Sequence, residues 1–183
     1  MRMIQIRQST PDELNTVLQV ELDAFSNDAE IQTLVTDLFS DQTALPLISL
    51  LAFDGHKPVG HIYFSTAHLE DAPADMRAML LAPLAVVKSH QKRGVGQALI
   101  HRAFEEALKL DVDLVFVLGH PAYYPRCGFT PAGRLGFDAP YPIAAKDAGA
   151  WMVIALSEGA LERAGAGQVH CAQSLMKPQY WRE

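Results

Sequence analysis

One segment constrains the fold of this chain more than any other: an apolar run that passes through a basic, glycine-containing turn into a helical pattern. The run Met79–Val87 is almost continuously apolar, as in a strand buried on both faces. Pro83 interrupts it, which predicts a bulge or a local loss of strand pairing. From Gly94 to Leu110 the apolar residues recur at the spacing of an amphipathic helix. The chain is therefore predicted to pass from a buried strand into a helix here.

The turn between the strand and the helix has the features of an anion site. The first N–H groups of a helix lack partners within it and carry partial positive charge. Gly94 and Gly96 remove side chains that would block a phosphate, and Lys92 and Arg93 add charge. A dinucleotide-binding loop would need a glycine where Leu99 stands, and a P-loop would need a Gly-Lys-Ser/Thr ending. Taken alone, the turn fits either a phosphate ligand or a purely structural strand-to-helix connection.

The patterns elsewhere predict one mixed α/β domain. A capping box at Thr10–Glu13 marks the start of a helix, and Asp54-Gly55 is a hairpin signal between two strands. Near the C-terminus the pattern is ambiguous. We therefore expect a single domain over residues 1–183, with a core of about 3–157 and a C-terminal extension over 158–183. The other predicted elements are a strand at Ile4–Ile6, a helix over Glu30–Phe39, strands over Leu47–Phe53, Val59–Ala67, Val112–Leu118 and Trp151–Leu156, and a turn or short helix over Pro121–Cys127.

The composition excludes several kinds of partner. The formal net charge of −6 argues against nucleic acid, because phosphate binding normally needs a basic face. The most apolar stretch, Ala44–Phe53, is about half the length of a membrane-spanning helix, and the N-terminus lacks the apolar core of a signal peptide. Cys127 and Cys171 form no zinc or disulfide pattern, and the 7 histidines show no metal-ligand spacing. We therefore expect a cytoplasmic protein that binds no metal, membrane or nucleic acid.

Two motifs in the second half of the chain resemble those of the GNAT superfamily of N-acetyltransferases. Gln91-x-x-Gly94-x-Gly96 is similar to the family's Gln/Arg-x-x-Gly-x-Gly/Ala signature, and it stands between a strand and a helix as in that family. Downstream, Gly119–Phe129 resembles the family's Tyr-x-x-x-Gly-Phe element, in a Tyr-Tyr-Pro-Arg form similar to the YhbS-like bacterial branch. The resemblance is strong over about 80–131 and weak after Gly136.

The resemblance implies a fold and a cofactor. The fold is a mixed, mostly antiparallel sheet with a V-shaped split between its central strands, flanked by helices. Acetyl-CoA would bind in the split, where its pantetheine arm would pair with the backbone of Leu84, Ala85 and Val86 as if it were another strand. The residues expected around the pyrophosphate are Gln91, Lys92, Arg93, Gly94, Val95, Gly96 and Gln97.

The resemblance also implies the chemistry, which is direct attack of a primary amine on the thioester of acetyl-CoA in a ternary complex. An alkylammonium with a pKa of about 10.4 must lose a proton before it attacks, and the departing thiolate must gain one. A tyrosine, with a pKa of about 10, stays protonated near neutral pH and can donate to that thiolate. Tyr124 occupies the family's tyrosine position and is the expected general acid, with Tyr123 as the alternative. Cys127 is expected to be a buried packing residue.

Three further side chains are candidates for a role in removing the proton of the amine. Glu21, together with Asp23, is expected on the first helix beside the acceptor. His120 follows a strand that ends at the cleft, in a slot where relatives often carry Asn or Asp, and is a candidate for a water relay. The 7 histidines show no spacing typical of metal ligands, so no metal ion is expected to take part in this proton transfer.

Alternatives remain open for the function and for the acceptor. A non-catalytic coenzyme A-binding sensor or interaction module would need the two glycines but not the tyrosine. Transfer of a longer acyl group would depend on the volume of the cleft. The expected acceptor is a small-molecule or peptide amine, but similarity of fold does not fix a substrate. An antibiotic, a polyamine, an amino acid, a peptide N-terminus and a protein lysine all remain open. Residues 160–183, which include Trp181, are expected to shape the acceptor pocket or a homodimer contact.

Overall fold

The structure, a computed structural model of the chain, describes residues 3–182. These residues form nine strands and four α-helices joined by short 3₁₀ turns. None of the helices they form has the length and apolar character needed to cross a membrane. In chain order the elements are β1 (Ile4–Gln8), α1 (Leu14–Ala24), α2 (Ala29–Ser40), β2 (Ile48–Asp54), β3 (Lys57–Leu69), β4 (Ala78–Val86), α3 (Val95–Leu108), β5 (Leu114–Leu118), β6 (Thr130–Pro131), β7 (Phe137–Asp138), β8 (Trp151–Ala155), α4 (Ala160–Ala164) and β9 (Gly167–Cys171).

The strands form a mixed, mostly antiparallel sheet. Their order across the sheet is β1-β2-β3-β4-β5-β8-β6. Along this path all neighbours are antiparallel except β4 and β5, which are parallel. β9 pairs with the far end of β3 and also with β7.

Helices cover both faces of the sheet. Successive residues of a strand point to opposite faces, so Gly60 and His61 on β3 identify which helix covers which face. A Cβ atom on Gly60 would touch Leu99 of α3, whereas the ring of His61 lies against Glu21 of α1. α3 therefore packs on one face and α1 on the other, which confirms the fold class that the resemblance implied.

The two central strands diverge halfway along their length. β4 and β5 pair from Ala78, opposite Leu114, as far as Leu81, opposite Val117. Beyond that point β4 continues to Val86 while paired only with β3, and β5 ends. The pairing of β3 with β4 also shifts register beside Pro83, as the interrupted apolar run predicts. One edge of residues 82–86 is thus left without a neighbouring strand of the described chain, and this is the expected V-shaped split.

The ends of several elements differ from the sequence prediction for local reasons. β5 begins at Leu114 and not at Val112, because the amide of Val112 donates to the carbonyl of Ala107 and so belongs to the turn that ends α3. The turn or short helix predicted after β5 is a 3₁₀ turn at Tyr124–Cys127. It ends at Gly128, whose φ of 95° is the left-handed conformation that glycine adopts most readily.

The C-terminal extension is built into the same sheet. β9 pairs antiparallel with β3, with Cys171 opposite Ala67 and Val169 opposite Leu69. Of the five residues in β9 only Val169 is fully buried, so the strand has little of the alternation that would reveal it in the sequence. The extension expected to begin near residue 158 is therefore not a layer separate from the core.

Residues 173–181 continue from β9 and are attached to the region of α2. The backbone N–H and the hydroxyl of Ser174 both donate to the Asp41 carboxylate. The Lys177 ammonium lies 2.9 Å from the Asp37 carboxylate. The indole N–H of Trp181 donates to the carbonyl of Leu175 at 2.7 Å. We call residues 173–181 the tail; its contacts fix it against α2.

Asp41 is the main attachment point of the tail, and its removal has a predictable cost. Burial alone would raise the pKa of Asp41, but hydrogen bonds from Ser174 and Thr43 outweigh it and hold the pKa at about 2. Asp41→Asn replaces one acceptor oxygen with a donor, so we expect the free energy of unfolding at pH 7 to fall by about 2 kcal/mol. Urea unfolding measures this difference.

The same pKa sets the pH dependence of that difference. A carboxyl group whose folded pKa is lowered stabilises the fold above its unfolded pKa of about 3.9, and this contribution is lost as the pH falls through its folded pKa. The gap between the wild type and Asp41→Asn should therefore narrow from pH 4 towards pH 2. Asp75→Asn, at an exposed loop position, is the matched control and should change little at either pH. An equal effect of the two substitutions would contradict the assigned role of Asp41.

Candidate active site

A cavity of about 1070 Å³ lies where β4 and β5 diverge. One wall is the loop between β4 and α3 together with the first turn of α3, which we call the glycine loop (residues 87–97). The floor is formed by β4 and by the end of β5 with the turn that follows it. The opposite wall comes from the α1–α2 connection, from α2 and from the tail. The cavity thus joins the two sequence motifs to a part of the chain that neither motif includes.

The glycine loop presents unbonded amides to this cavity. Gly94 has a φ of 83°, in the left-handed region, and α3 begins at the next residue. Within residues 3–182 the amides of Val95, Gly96 and Gln97 have no backbone acceptor, whereas Ala98 donates to the carbonyl of Gly94 at 3.0 Å. Because these amides stand at the positive end of a 14-residue helix, they are suited to bind an anionic group.

A close approach of the Tyr123 side chain, as well as the space needed for an anion, favours glycine at position 96. A Cβ atom at this position would collide with the hydroxyl of Tyr123, so no larger residue fits unless the tyrosine moves. Gln91 ties the loop to the end of the strand, since its side-chain amide donates to the carbonyl of Val86 at 3.0 Å. The carboxylate of Asp23 accepts the backbone N–H of Lys88 at 2.9 Å and holds the loop from the α1 side.

Eight of the ten predicted cofactor-binding residues line the cavity, and two do not. Ala85 is buried and lies opposite His61, on the face covered by α1. Arg93 is exposed and lies outside the cavity wall. The residues that line it are Leu84, Val86, Gln91, Lys92, Gly94, Val95, Gly96 and Gln97.

Both candidate tyrosines line the cavity, but they occupy different positions. The ring of Tyr124 covers Gly119 at the end of β5, where a Cβ atom would collide with it. It also contacts Phe129 edge-on, with 5.7 Å between ring centroids. The hydroxyl of Tyr123 instead lies over Gly96 in the glycine loop. Burial, and secondly the neighbouring Cys127, raise the pKa of Tyr123, which keeps that hydroxyl protonated.

The remaining candidates separate into residues at the cavity and residues away from it. His120 lines the cavity, and its Nδ1 atom accepts the backbone N–H of Ala122 at 3.2 Å. Cys127 is buried outside the cavity wall, and burial raises the pKa of its thiol. Its surroundings match the packing role expected for it.

The expectation that Glu21 lies beside the acceptor does not hold. Its side chain is fully buried beneath α1, and it is not part of the cavity wall. Its Oε1 atom lies 2.5 Å from Nδ1 of His61, whose Nε2 atom lies 3.1 Å from the hydroxyl of Ser49. Burial raises the pKa of Glu21, and the hydrogen bond from His61 opposes that rise. Glu21 therefore belongs to a buried polar cluster under the sheet.

Sequence reasoning missed the partner in this cluster. His61 stands within the apolar residues of β3, and both its neighbours, Gly60 and Ile62, are buried. An isolated histidine in such a run was the available signal, because a buried histidine normally needs a polar partner. Within residues 3–182 there is no cluster of three or more His, Cys, Asp or Glu side chains that would hold a metal ion.

The arrangement as a whole can hold an anion, an extended chain and a reacting group in one cavity. The unbonded amides of α3 suit the anion, and the open edge of residues 82–86 can pair with an extended chain. The Tyr124 ring stands where the two strands part. Beyond it the α2 and tail wall offers a pocket of mainly apolar side chains.

Comparisons with known proteins agree with this geometry. A family model described as an acetyltransferase (GNAT) domain matches residues 47–131, a range that contains both sequence motifs. The chain is 40% identical over 157 residues to YjhQ of Escherichia coli K12, an uncharacterised N-acetyltransferase, and the match covers 85% of each chain. It is 30% identical over 112 residues to the uncharacterised N-acetyltransferase YhbS of the same organism, covering 61% of this chain and 64% of YhbS.

Two solved structures resemble the fold over nearly its whole length. The crystal structure of YhbS from Escherichia coli in complex with CoA superposes with a TM-score of 0.85 at 25% identity, covering 97% of this chain and 94% of that one. A GNAT family acetyltransferase from Brucella melitensis, in complex with acetyl-CoA, gives a TM-score of 0.72 at 22% identity, covering 96% of this chain and 99% of that one.

Proposed function

This chain belongs to the GNAT family of acetyltransferases, and from that premise we propose that it moves an acetyl group from acetyl-CoA to a primary amine within a ternary complex. The observation that carries the proposal is that the unbonded amides of α3, the open edge of β4 and the ring of Tyr124 all line the same cavity. A donor with a pyrophosphate, an extended arm and a terminal thioester matches these three features in that order. The CoA complexes of YhbS and of the Brucella protein support the same donor.

The residues present fit acetyl-CoA as a co-substrate. The amides of Val95, Gly96 and Gln97 would receive the pyrophosphate, which supplies the acceptor oxygens that these groups lack. The pantetheine arm would extend along residues 82–86, where the backbone of β4 has no neighbour on one side. The thioester would then lie near the fork between β4 and β5, beside Tyr124.

In the proposed reaction, a bond forms between the amine nitrogen and the acetyl carbonyl carbon as the carbon–sulfur bond breaks. The hydroxyl of Tyr124 donates its proton to the departing sulfur, and the phenolate is reprotonated from solvent. His120 lines the cavity, and because its Nδ1 atom accepts the backbone N–H of Ala122, its neutral ring carries a proton on Nε2. That N–H orients a water molecule, through which the amine proton leaves to solvent. Glu21 has no part in this step because it is buried away from the cavity.

The cysteines favour a reducing compartment. Both Cys127 and Cys171 are free thiols, as is usual for proteins of the cytoplasm. The similar proteins named above are bacterial, so we place the proposed reaction in a bacterial cytoplasm.

Acetyl-CoA binding tests the first half of the proposal. At a ligand concentration a hundred times its dissociation constant, acetyl-CoA should stabilise the wild type by about 2.7 kcal/mol and raise the melting temperature by several degrees. NAD should not. Gly96→Asp should lose the shift, because its side chain fills the space under Tyr123 and places negative charge beside the phosphates. Thermal unfolding with and without ligand measures all three effects.

Gly149→Asp is the matched control for this experiment. Gly149 is exposed, a Cβ atom there meets nothing within 4 Å, and it lies outside the cavity. That variant should keep the full acetyl-CoA shift. A folded wild-type protein that shows no shift at millimolar acetyl-CoA would overturn the proposed function.

A further inference from the structure

The wall opposite the glycine loop is mainly apolar and has no basic side chain among the described lining residues. It contains Ile31 and Leu34 of α2, and Leu175, Tyr180 and Trp181 of the tail. Leu34, Leu175 and Trp181 are buried, so their side chains form a closed apolar surface. Neither sequence motif contributes to it. We call this set the acceptor wall, because acetyl-CoA as placed above occupies the other side of the cavity.

Two attachments hold the acceptor wall together. The Asp41 carboxylate binds the N–H and hydroxyl of Ser174, and Lys177 pairs with Asp37 of α2 at 2.9 Å. These contacts stand on either side of Leu175. The apolar surface is therefore preformed, which favours a ligand that matches its shape over one that must order it.

A partly exposed aromatic side chain extends the acceptor wall. Phe25 follows the last residue of α1, and its amide donates to the carbonyl of Glu21 at 2.9 Å, as a helix cap. Its side chain lines the cavity yet is 37% exposed. A large apolar side chain that remains exposed at a cavity is available to contact a ligand. An aromatic ligand would pack favourably against the Phe25 ring.

One negative charge faces this apolar surface. Glu30 is the one acidic residue among the described residues that line the cavity. Its carboxylate forms no ion pair within residues 3–182, unlike the nearby Asp37. The basic lining residues Lys92 and Arg126 belong to the glycine loop and to the turn after β5. The electrostatic field of the cavity thus attracts anions at one wall and a cation at the other.

We propose, building on the function proposed above, that the acceptor is a small arylalkylamine: an ammonium group on a compact aromatic body without a carboxylate. Its ring packs against Phe25 and the apolar residues of the acceptor wall. Glu30 draws the ammonium into the cavity and repels a carboxylate attached to the same molecule. A polyhydroxylated amine is disfavoured, since its hydroxyl groups would lose their hydrogen bonds to water against apolar side chains.

The size of the cavity agrees with a small acceptor. A volume of about 1070 Å³ slightly exceeds the range of about 300–1,000 Å³ that is usual for pockets of one drug-sized ligand. The extended arm of acetyl-CoA takes a large part of that volume. What remains between the fork and Phe25 suits a single ring with a short chain.

A panel of acceptors tests the proposal by the rate of CoA release, trapped with a thiol-reactive dye. The panel is phenethylamine, phenylalanine, spermidine, kanamycin and an N-terminally blocked lysine peptide. We expect kcat/KM for phenethylamine to exceed that for each of the others by tenfold or more. Phenylalanine differs from phenethylamine only by its carboxylate, so this pair isolates the contribution of charge.

Two pairs of variants link the preference to the acceptor wall. Phe25→Ala should lower kcat/KM for phenethylamine about tenfold and leave the KM for acetyl-CoA unchanged. Phe39→Ala is its control, because Phe39 is equally exposed, at 39%, and lies outside the cavity. Glu30→Gln should narrow the preference for phenethylamine over phenylalanine about threefold, a typical effect of an exposed charge. Glu162→Gln, an exposed position on α4 outside the cavity, should leave that preference unchanged.

The outcomes separate this inference from the proposed function. Efficient transfer to spermidine, kanamycin or the lysine peptide, with phenethylamine no better, would overturn the inference and leave an N-acetyltransferase. Equal effects of Phe25→Ala and Phe39→Ala would also overturn it. Transfer to no amine at all would overturn the proposed function together with the inference.

Discussion

Replacing Tyr124 by phenylalanine is expected to lower kcat about 10² to 10³-fold while the protein still binds acetyl-CoA. Loss of a positioned proton donor typically costs 10² to 10⁴-fold. The substitution removes only the hydroxyl, and the ring keeps its contacts with Gly119 and Phe129. The fold and the acetyl-CoA melting shift should therefore remain. Steady-state kinetics with saturating acetyl-CoA measure the effect, which should appear in kcat more than in KM.

Tyr123→Phe is the matched control for that experiment. The two tyrosines are adjacent, line the same cavity and contact each other with 5.1 Å between ring centroids. The Tyr123 hydroxyl lies over Gly96, on the pyrophosphate side, so its loss should change the KM for acetyl-CoA and leave kcat within a few fold. If Tyr123→Phe abolished turnover and Tyr124→Phe did not, the general acid would be Tyr123, and the assignment made here would be wrong.

Replacing His61 by leucine is expected to lower the free energy of unfolding by roughly 3 to 5 kcal/mol near neutral pH, the usual cost when removal of a hydrogen-bonded partner leaves a buried charge uncompensated. Both His61 and Glu21 are fully buried, and the second oxygen of Glu21 has no partner within the described chain. Without the imidazole the carboxylate would be isolated in an apolar environment. Urea unfolding measures the loss.

The pH dependence gives a second readout of the same pair. Burial already raises the pKa of Glu21, and the hydrogen bond from His61 opposes that rise, so removal of His61 raises the pKa further. A carboxyl group with a raised folded pKa does not destabilise the fold below its unfolded pKa of about 4.3, and it destabilises the fold increasingly as the pH rises from there towards its folded pKa. The cost of His61→Leu should therefore be small near pH 4 and should increase as the pH rises.

The double variant Glu21→Leu/His61→Leu is the control for the pair. It removes both polar groups, so most of the stability lost in the single variant should return. The Ser49 hydroxyl also approaches that of Ser9 at 2.5 Å, so it keeps a partner. A single variant that costs less than about 1 kcal/mol at every pH would show that Glu21 and His61 do not depend on each other.

Features that depend on residues adjacent in the chain could be predicted from the amino-acid sequence. The glycine loop is an example, because the conformation of Gly94 and the unbonded amides of α3 follow from a strand, a turn and a helix that are adjacent in the chain. Pro83 likewise predicted the irregular pairing of β4, since its missing N–H and its ring act at its own position. The resemblance added the split, mostly antiparallel sheet and the acetyl-CoA donor, which periodicity alone does not provide.

By contrast, long-range packing determines which polar residues face the interior and which segments close the cavity. Helical spacing showed that α1 is amphipathic, but the burial of Glu21 depends on His61, 40 residues away in sequence. β9 was ambiguous because its pairing with β3 comes from residues about 100 positions distant and not from its own pattern. The tail is held against the cavity by Asp41 and Asp37, which lie more than 130 residues earlier in the sequence than their partners. In each case the deciding energy comes from contacts between segments remote in sequence, so no local pattern contains it.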